Sequence, residues 1–261
     1  MAVYERVSIG SLAQGAVPPG YTFTRSTTAL YVDSDGLLKS AAINTPRRQW
    51  DATNRRWGYV GEGSRTNLCP YTNDVSNAAW TNFIGGAGVT PVATGSFAAA
   101  PDGTTTATKV DLDAGGGTSS DRSLRQMAYA SATIGVAYSG AIWLKAATGA
   151  DVGKTVRVHL ENAGPTNIIY ALTSEWVRVL LNAGTTTATA TTVSLYAECR
   201  GSVSSQSASV LMWGGQIEAG PAASSDIPNP GSGTMSRGAD LQARALTGPE
   251  GTALSTQGTM V

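Results

Sequence analysis

At 261 residues the chain is too long for one small domain and short for three, so a main core with a smaller added unit is expected. The 18 basic side chains balance the 18 acidic ones and form no basic stripe, which excludes the electrostatic footprint of a nucleic-acid binder. No run approaches the roughly 18 apolar residues of a membrane span, and Met1 to Gly10 lacks the charged-then-apolar order of a signal peptide, so a soluble protein with no membrane insertion is expected.

Charged residues are only 14% of the chain, glycine occurs 31 times, and threonine and serine recur throughout. β-branched threonine suits a pleated surface and glycine supplies tight turns, so the composition predicts strands and turns with few helices. Residues 1–67 read as an irregular β-rich N-terminal unit, with Pro18-Pro19-Gly20 as a breaker and strands near 21–24, 29–32 and 57–60. Arg47, Arg48, Arg55 and Arg56 surround Trp50 in its most basic and aromatic stretch. That cluster is a candidate docking surface for another protein, the alternative being a solvated hairpin face.

From residue 68 to 220 the pattern becomes regular, with strands expected near 79–84, 106–112, 124–129, 137–146, 155–162, 167–172, 176–183, 192–200 and 209–218. Glycine-rich and Pro-Asp-Gly stretches punctuate them. Eight or nine antiparallel strands without a helical period predict an all-β fold, two packed sheets in a sandwich. Val193, Leu195, Ala197 and Cys199 share one phase, so Cys199 is expected in the core, and both it and Cys69 are expected to be buried free thiols. Leu211, Trp213 and Ile217 are likewise expected to share the core. Residues 221–261, rich in proline and glycine, read as a linker leading toward a further C-terminal domain, with Thr259-Met260-Val261 resembling the opening of another strand and the gene product expected to continue beyond it.

The residues that could carry chemistry are few. His159 is the sole histidine and lies mid-strand, no nucleophile elbow surrounds any serine, and no glycine-rich loop has the lysine of a phosphate cradle. No catalytic residue is therefore assigned and no enzyme is expected; Glu161 and Glu198 are the one pair of carboxylates that strand phase sets near each other for glycoside cleavage. No cofactor is expected either. Asp102, Asp111 and Asp113 lie near strand ends where a structural calcium ion would find oxygen ligands, although their spacing makes no cage by itself.

Alternation predicts one outward face. If Val156, Val158 and Leu160 point inward, Arg157, His159 and Glu161 point outward, and the same rule turns out Tyr196, Glu198 and Arg200, Trp143 and Lys145, and Trp176 and Arg178. Aromatic rings stack on the apolar side of a sugar while charged groups take its hydroxyls, so this face suits a glycan; the same residue types also anchor subunit contacts.

The string Glu62-Gly63-Ser64-Arg65-Thr66-Asn67-Leu68 is followed by Tyr71, Asp74, Ser76-Asn77-Ala78-Ala79-Trp80 and Ala100-Pro101-Asp102-Gly103-Thr104. With Phe23-Thr24-Arg25-Ser26, Tyr31-Val32-Asp33, Trp213-Gly214-Gly215-Gln216-Ile217-Glu218 and Ser236-Arg237-Gly238-Ala239-Asp240, it resembles the carbohydrate-binding-module-like domain of phage tail and head-spike fibre proteins. The resemblance implies a jelly-roll-type sandwich over residues 68–220 and a structural spike, fibre or decoration protein. Such a protein is made in the bacterial host cytoplasm, displayed on the virion surface, held by other virion proteins and assembled as a homo-oligomer, first of all a trimer. A host-surface glycan is the implied ligand of an adhesin; a capsule or lipopolysaccharide depolymerase is the third reading.

Overall fold

The computed structural model describes residues 14–17, 21–163 and 167–244; the Pro18–Gly20 breaker and the C-terminal stretch ending at Val261 lie outside them. Among the described residues there are eighteen strands, all paired antiparallel, and one short 3-10 turn at Gly149–Asp151. The N-terminal unit holds β1 (Tyr21–Thr24), β2 (Ala29–Val32), β3 (Leu38–Ala41), β4 (Arg47–Asp51), β5 (Arg56–Val60) and β6 (Arg65–Asn67). β2–β3 and β4–β5 are hairpins; Asp51 Oδ1 closes the second by accepting from the backbone N–H of Thr53 and Asn54, both at 3.0 Å.

The sandwich follows: β7 (Thr81–Gly85), β8 (Val89–Ala98), β9 (Ala107–Asp113), β10 (Arg122–Tyr129), β11 (Tyr138–Ala146), β12 (Thr155–Glu161), β13 (Asn167–Ala171), β14 (Val177–Leu181), β15 (Val193–Arg200) and β16 (Ser207–Ala219). The first sheet runs β13-β12-β15-β10-β7 and the second β14-β11-β16-β9-β8, five strands each. The fold is thus the expected all-β, jelly-roll-type antiparallel sandwich. The sequence reading misses β8, because Pro91 and Gly95 look like breakers. β8 is an edge strand with two irregularities in its pairing to β9, where both residues are tolerated.

Between the sheets the inward residues form the main core, Val110, Ile142, Leu144, Val156, Val158, Leu160, Leu195 and Met212 among them. Cys199 joins it in phase with Val193, Leu195 and Ala197, and both cysteines are free and buried as expected. Trp80 lies under the sheets at 1% exposure, and Arg125, turned inward, fixes the loop before it by donating to the carbonyls of Val75 and Asn77, each at 2.9 Å.

A second apolar cluster lies on the outer side of the second sheet. Trp143 and Trp213, with Ala100 and Ala107, are capped there by Leu38 and by partly buried Leu30 and Val32 of hairpin β2–β3. This corrects the expectation for Trp213, which does not share a core with Ile217. β16 carries an extra residue where its register against β11 shifts between Ala141 and Trp143, so Trp213 faces outward and Ile217 inward.

The first and last described strands meet. β17 (Met235–Arg237) pairs with β6, and β18 (Leu241–Arg244) with β1. The segment read as a linker is therefore, through Arg244, built into the fold: Ile227, Asn229 and Arg237 are all buried. Proline and glycine there shape a tightly hydrogen-bonded path rather than a flexible one; Asn229 Nδ2 donates to Cys69 O at 2.9 Å and to Gly233 O at 2.6 Å.

Candidate ligand-binding face

The ten outward residues separate onto two sides of the molecule. Arg157, His159 and Glu161 on β12 and Tyr196, Glu198 and Arg200 on β15 lie on the outer face of the first sheet, where Arg157 pairs with Glu198 and His159 with Tyr196. Trp143, Lys145, Trp176 and Arg178 lie on the outer face of the second sheet. A single ten-residue face is thus not formed, because β12 and β15 belong to one sheet and β11 and β14 to the other.

The two sides differ in what covers them. On the second sheet Trp143 is buried, its Nε1 donating to Asp226 Oδ1 at 2.8 Å, and Trp176 donates to Ala99 O at 3.1 Å while packing on the outer cluster. Arg178 Nε stands 3.0 Å from Asp226 Oδ1. These side chains bind the N- and C-terminal segments to the sheet, so Trp143 offers no exposed ring for stacking.

No described element lies over the first sheet, and its centre is an organised polar network. Glu198, fully buried, takes a hydrogen bond from Arg157 Nη1 at 2.7 Å and has Arg200 Nη1 at 3.7 Å. Its second oxygen has no hydrogen-bond partner. Arg157 Nη2 lies 3.0 Å from His159 Nδ1, and Tyr196 Oη lies 2.7 Å from the same nitrogen. A guanidinium only donates, so Nδ1 is the acceptor and the imidazole is the neutral Nε2–H tautomer. Burial, then the neighbouring Arg157 and Arg200, lower the His159 pKa to about 4. Burial and the carboxylates of Glu198 and Glu161 push the Tyr196 phenol well above its ordinary range.

Strand phase alone did not bring β10 and β7 into this face. Arg122 stands opposite Arg200, Leu124 opposite Glu198 and Gln126 opposite Tyr196; Phe83 of β7 completes the Leu124 row. Arg122 covers the Phe83 ring at 4.4 Å in a cation–π contact. The alternation Arg122, Leu124, Gln126 was legible, but which strand neighbours β15 is set by long-range pairing. Two guanidinium groups, of Arg157 and Arg200, thus flank one buried carboxylate. The arrangement can present N–H donors and a ring to hydroxyl or acidic groups of a ligand. Glu161 stands opposite Ser194 rather than beside Glu198, and Glu198 is held by arginines, so the two carboxylates do not frame a common cleft.

The docking cluster also divides. Arg47 is fully buried and contributes no contact surface, which corrects its assignment: its Nη2 bonds Glu62 at 3.0 Å and Asp240 at 2.5 Å. Arg55 and Arg56 are exposed, whereas Arg48 and Trp50 are half-buried. Trp50 packs edge-on against Trp57 at 5.4 Å, and Arg48 lies 5.9 Å from the Trp57 ring. Of the three calcium candidates, Asp102 accepts from Thr104 N at 3.0 Å, Asp111 pairs with Lys109 at 3.0 Å and Asp113 accepts from Gly115 N at 2.7 Å. Among the described residues no group of three or more His, Cys, Asp or Glu side chains is placed to hold a metal ion.

No family model matches the sequence, and no curated protein does. Solved structures similar in fold include the enzymatically active domain of bacteriophage CBA120 tailspike protein 4 (TM-score 0.38, 11% identity, 58% of this chain); the match spans 21% of the tailspike chain. A family 11 carbohydrate-binding module from Clostridium thermocellum aligns with TM-score 0.39 and 8% identity over 60% of this chain and 96% of its own. TmCBM61, solved with β-1,4-galactotriose, aligns with TM-score 0.36 and 10% identity over 57% and 92%. At this distance no ligand or activity transfers from them.

Proposed function

We propose that this protein is a non-catalytic structural component of a tailed bacteriophage virion, displayed at the particle surface as a spike, fibre or decoration. The supporting observation is where the resemblance-bearing residues fall. Arg25 bonds Asp240 at 2.8 Å, Arg47 joins Asp240 to Glu62, and Arg237 meets Glu62 at 2.8 Å. Asn67 uses both amide donors, on Gly215 O and Ile227 O, and its oxygen accepts from Cys69 N and Ile217 N. The motif residues are thus internal connectors that lock sandwich, N-terminal hairpins and C-terminal segment together, which favours a family held by its architecture rather than by a reaction. Antiserum against the purified chain should label intact particles of the phage that encodes it, and mass spectrometry should find the chain in gradient-purified virions. Its absence from virions would overturn the reading. The assembly expected for such a component is a homotrimer, read by light scattering.

The uncovered first sheet favours a second reading, a glycan-binding adhesin contacting the host surface through Arg122, Arg157 and Arg200. Binding to host cells or a glycan array should then fall at least about tenfold in Arg157→Ala, the loss of a charge-assisted hydrogen bond. Equal binding by the variant counts against it.

A further inference from the structure

The covered side of the second sheet is not sealed. Between hairpin β2–β3 and strand β14 a crevice of about 190 Å³ remains. Leu180, 42% exposed, and half-buried Tyr31 and Gln49 line it toward solvent, and buried Trp143 and Asp226 line it toward the sheet. Asp226 Oδ1 already accepts from Trp143 Nε1 and stands beside Arg178 Nε. That second contact is ionic without the alignment of a hydrogen bond, and Arg178 Nη2, likewise removed from solvent, has no partner. A guanidinium N–H withdrawn from water needs an acceptor, and the crevice borders it.

We infer that this crevice is a binding subsite for one neutral sugar ring. Arg178 and Asp226 cancel in charge, so an anionic ligand would meet the carboxylate as well as the cation. A hydroxyl, by contrast, accepts from Arg178 Nη2 and donates its own proton to the Asp226 carboxylate. Tyr31 and Leu180 offer apolar surface to the C–H face of the ring. The space equals about six waters at about 30 Å³ each, room for a single ring rather than an oligosaccharide. This subsite lies on the opposite side of the sandwich from the Arg157–Glu198 face and is independent of the virion assignment.

Saturation-transfer NMR on the full chain tests it with methyl glycosides of glucose, galactose and mannose, and glucuronic acid as the acidic comparison. At least one neutral glycoside should receive saturation. Leu180→Trp, which fills the rim at an exposed position and spares the core, should abolish the transfer. Arg178→Gln should weaken affinity about tenfold or more, the loss of a hydrogen bond to a charged group. Should Arg178→Gln fail to fold, Leu180→Trp decides. Absence of transfer from every neutral glycoside, transfer that survives Leu180→Trp, or binding of the uronate alone would each overturn the proposal.

Discussion

His159 shows how far a single residue's surroundings decide its charge. Arg157 and Tyr196 both direct donors at Nδ1, and burial followed by two guanidinium neighbours disfavours the imidazolium. The folded-state pKa therefore falls from the ordinary 6.5 to about 4. With a depressed histidine pKa the unfolded chain binds the proton first. The contribution to stability is present above pH 6.5 and lost as the pH falls from there toward 4. Thermal melts across that window should show a smaller acid-side drop in His159→Gln than in the parent; equal slopes would remove the argument. Trp143 makes the complementary case. Phase alone correctly turns it outward, but exposure depends on hairpin β2–β3, which folds back over it from an earlier part of the chain, so direction was legible and burial was not. Trp143→Ala should accordingly cost about 3–5 kcal/mol of folding stability in denaturant titration, as for other buried tryptophans. A stable Trp143→Ala variant would return the residue to the ligand-face reading.

At the level of elements, period-two alternation located nine of the ten sandwich strands, because their inward residues are apolar and their turns are glycine-rich. It failed where alternation itself is interrupted. In β16 the phase that buries Val210 and Met212 changes across Gly214 and Gly215, after which Ile217 enters the core and Gln216 and Glu218 face outward. Gly214 holds φ +67°, where a β-carbon is disfavoured. A β-carbon on Gly215 would come within 2.4 Å of the Trp80 ring. The indole is buried and cannot swing aside, so Gly215→Ala should destabilise by about 1–3 kcal/mol, the usual cost of overpacking. Chemical denaturation measures this, and Trp80 fluorescence should shift in the folded variant. A neutral Gly215→Ala would mean that β16 can move away from Trp80 without cost.

For the whole molecule, composition pointed the wrong way at the C-terminal end. Pro221, Pro228, Pro230 and the glycines among them look like a spacer, yet Asp226, Asn229, Arg237 and Asp240 supply partners that buried groups elsewhere require. Such long-range pairing leaves no local periodicity to read. Burial pushes the Glu62 pKa up, but Arg237, Ser225 and Arg47 outweigh it and hold the carboxyl below its ordinary 4.5. That contribution to stability is present above pH 4.5 and lost as the pH falls through the lowered value. Removing one carboxylate from this cluster strands buried cations: Asp240→Ala leaves Arg25 without its only ion-pair partner among the described residues and Arg47 with Glu62 alone, and should cost about 3–5 kcal/mol. Ending the chain at Gly220 removes the same carboxylate together with strands β17 and β18, the Asp226 acceptor of Trp143 and the Asn229 contacts. If residues 221–244 were a spacer, the shortened chain would melt with the full one in calorimetry. Built in as they are, their loss should lower the melting temperature steeply or abolish the cooperative transition, and should open β1 and β6, which lose their partner strands, to proteolysis.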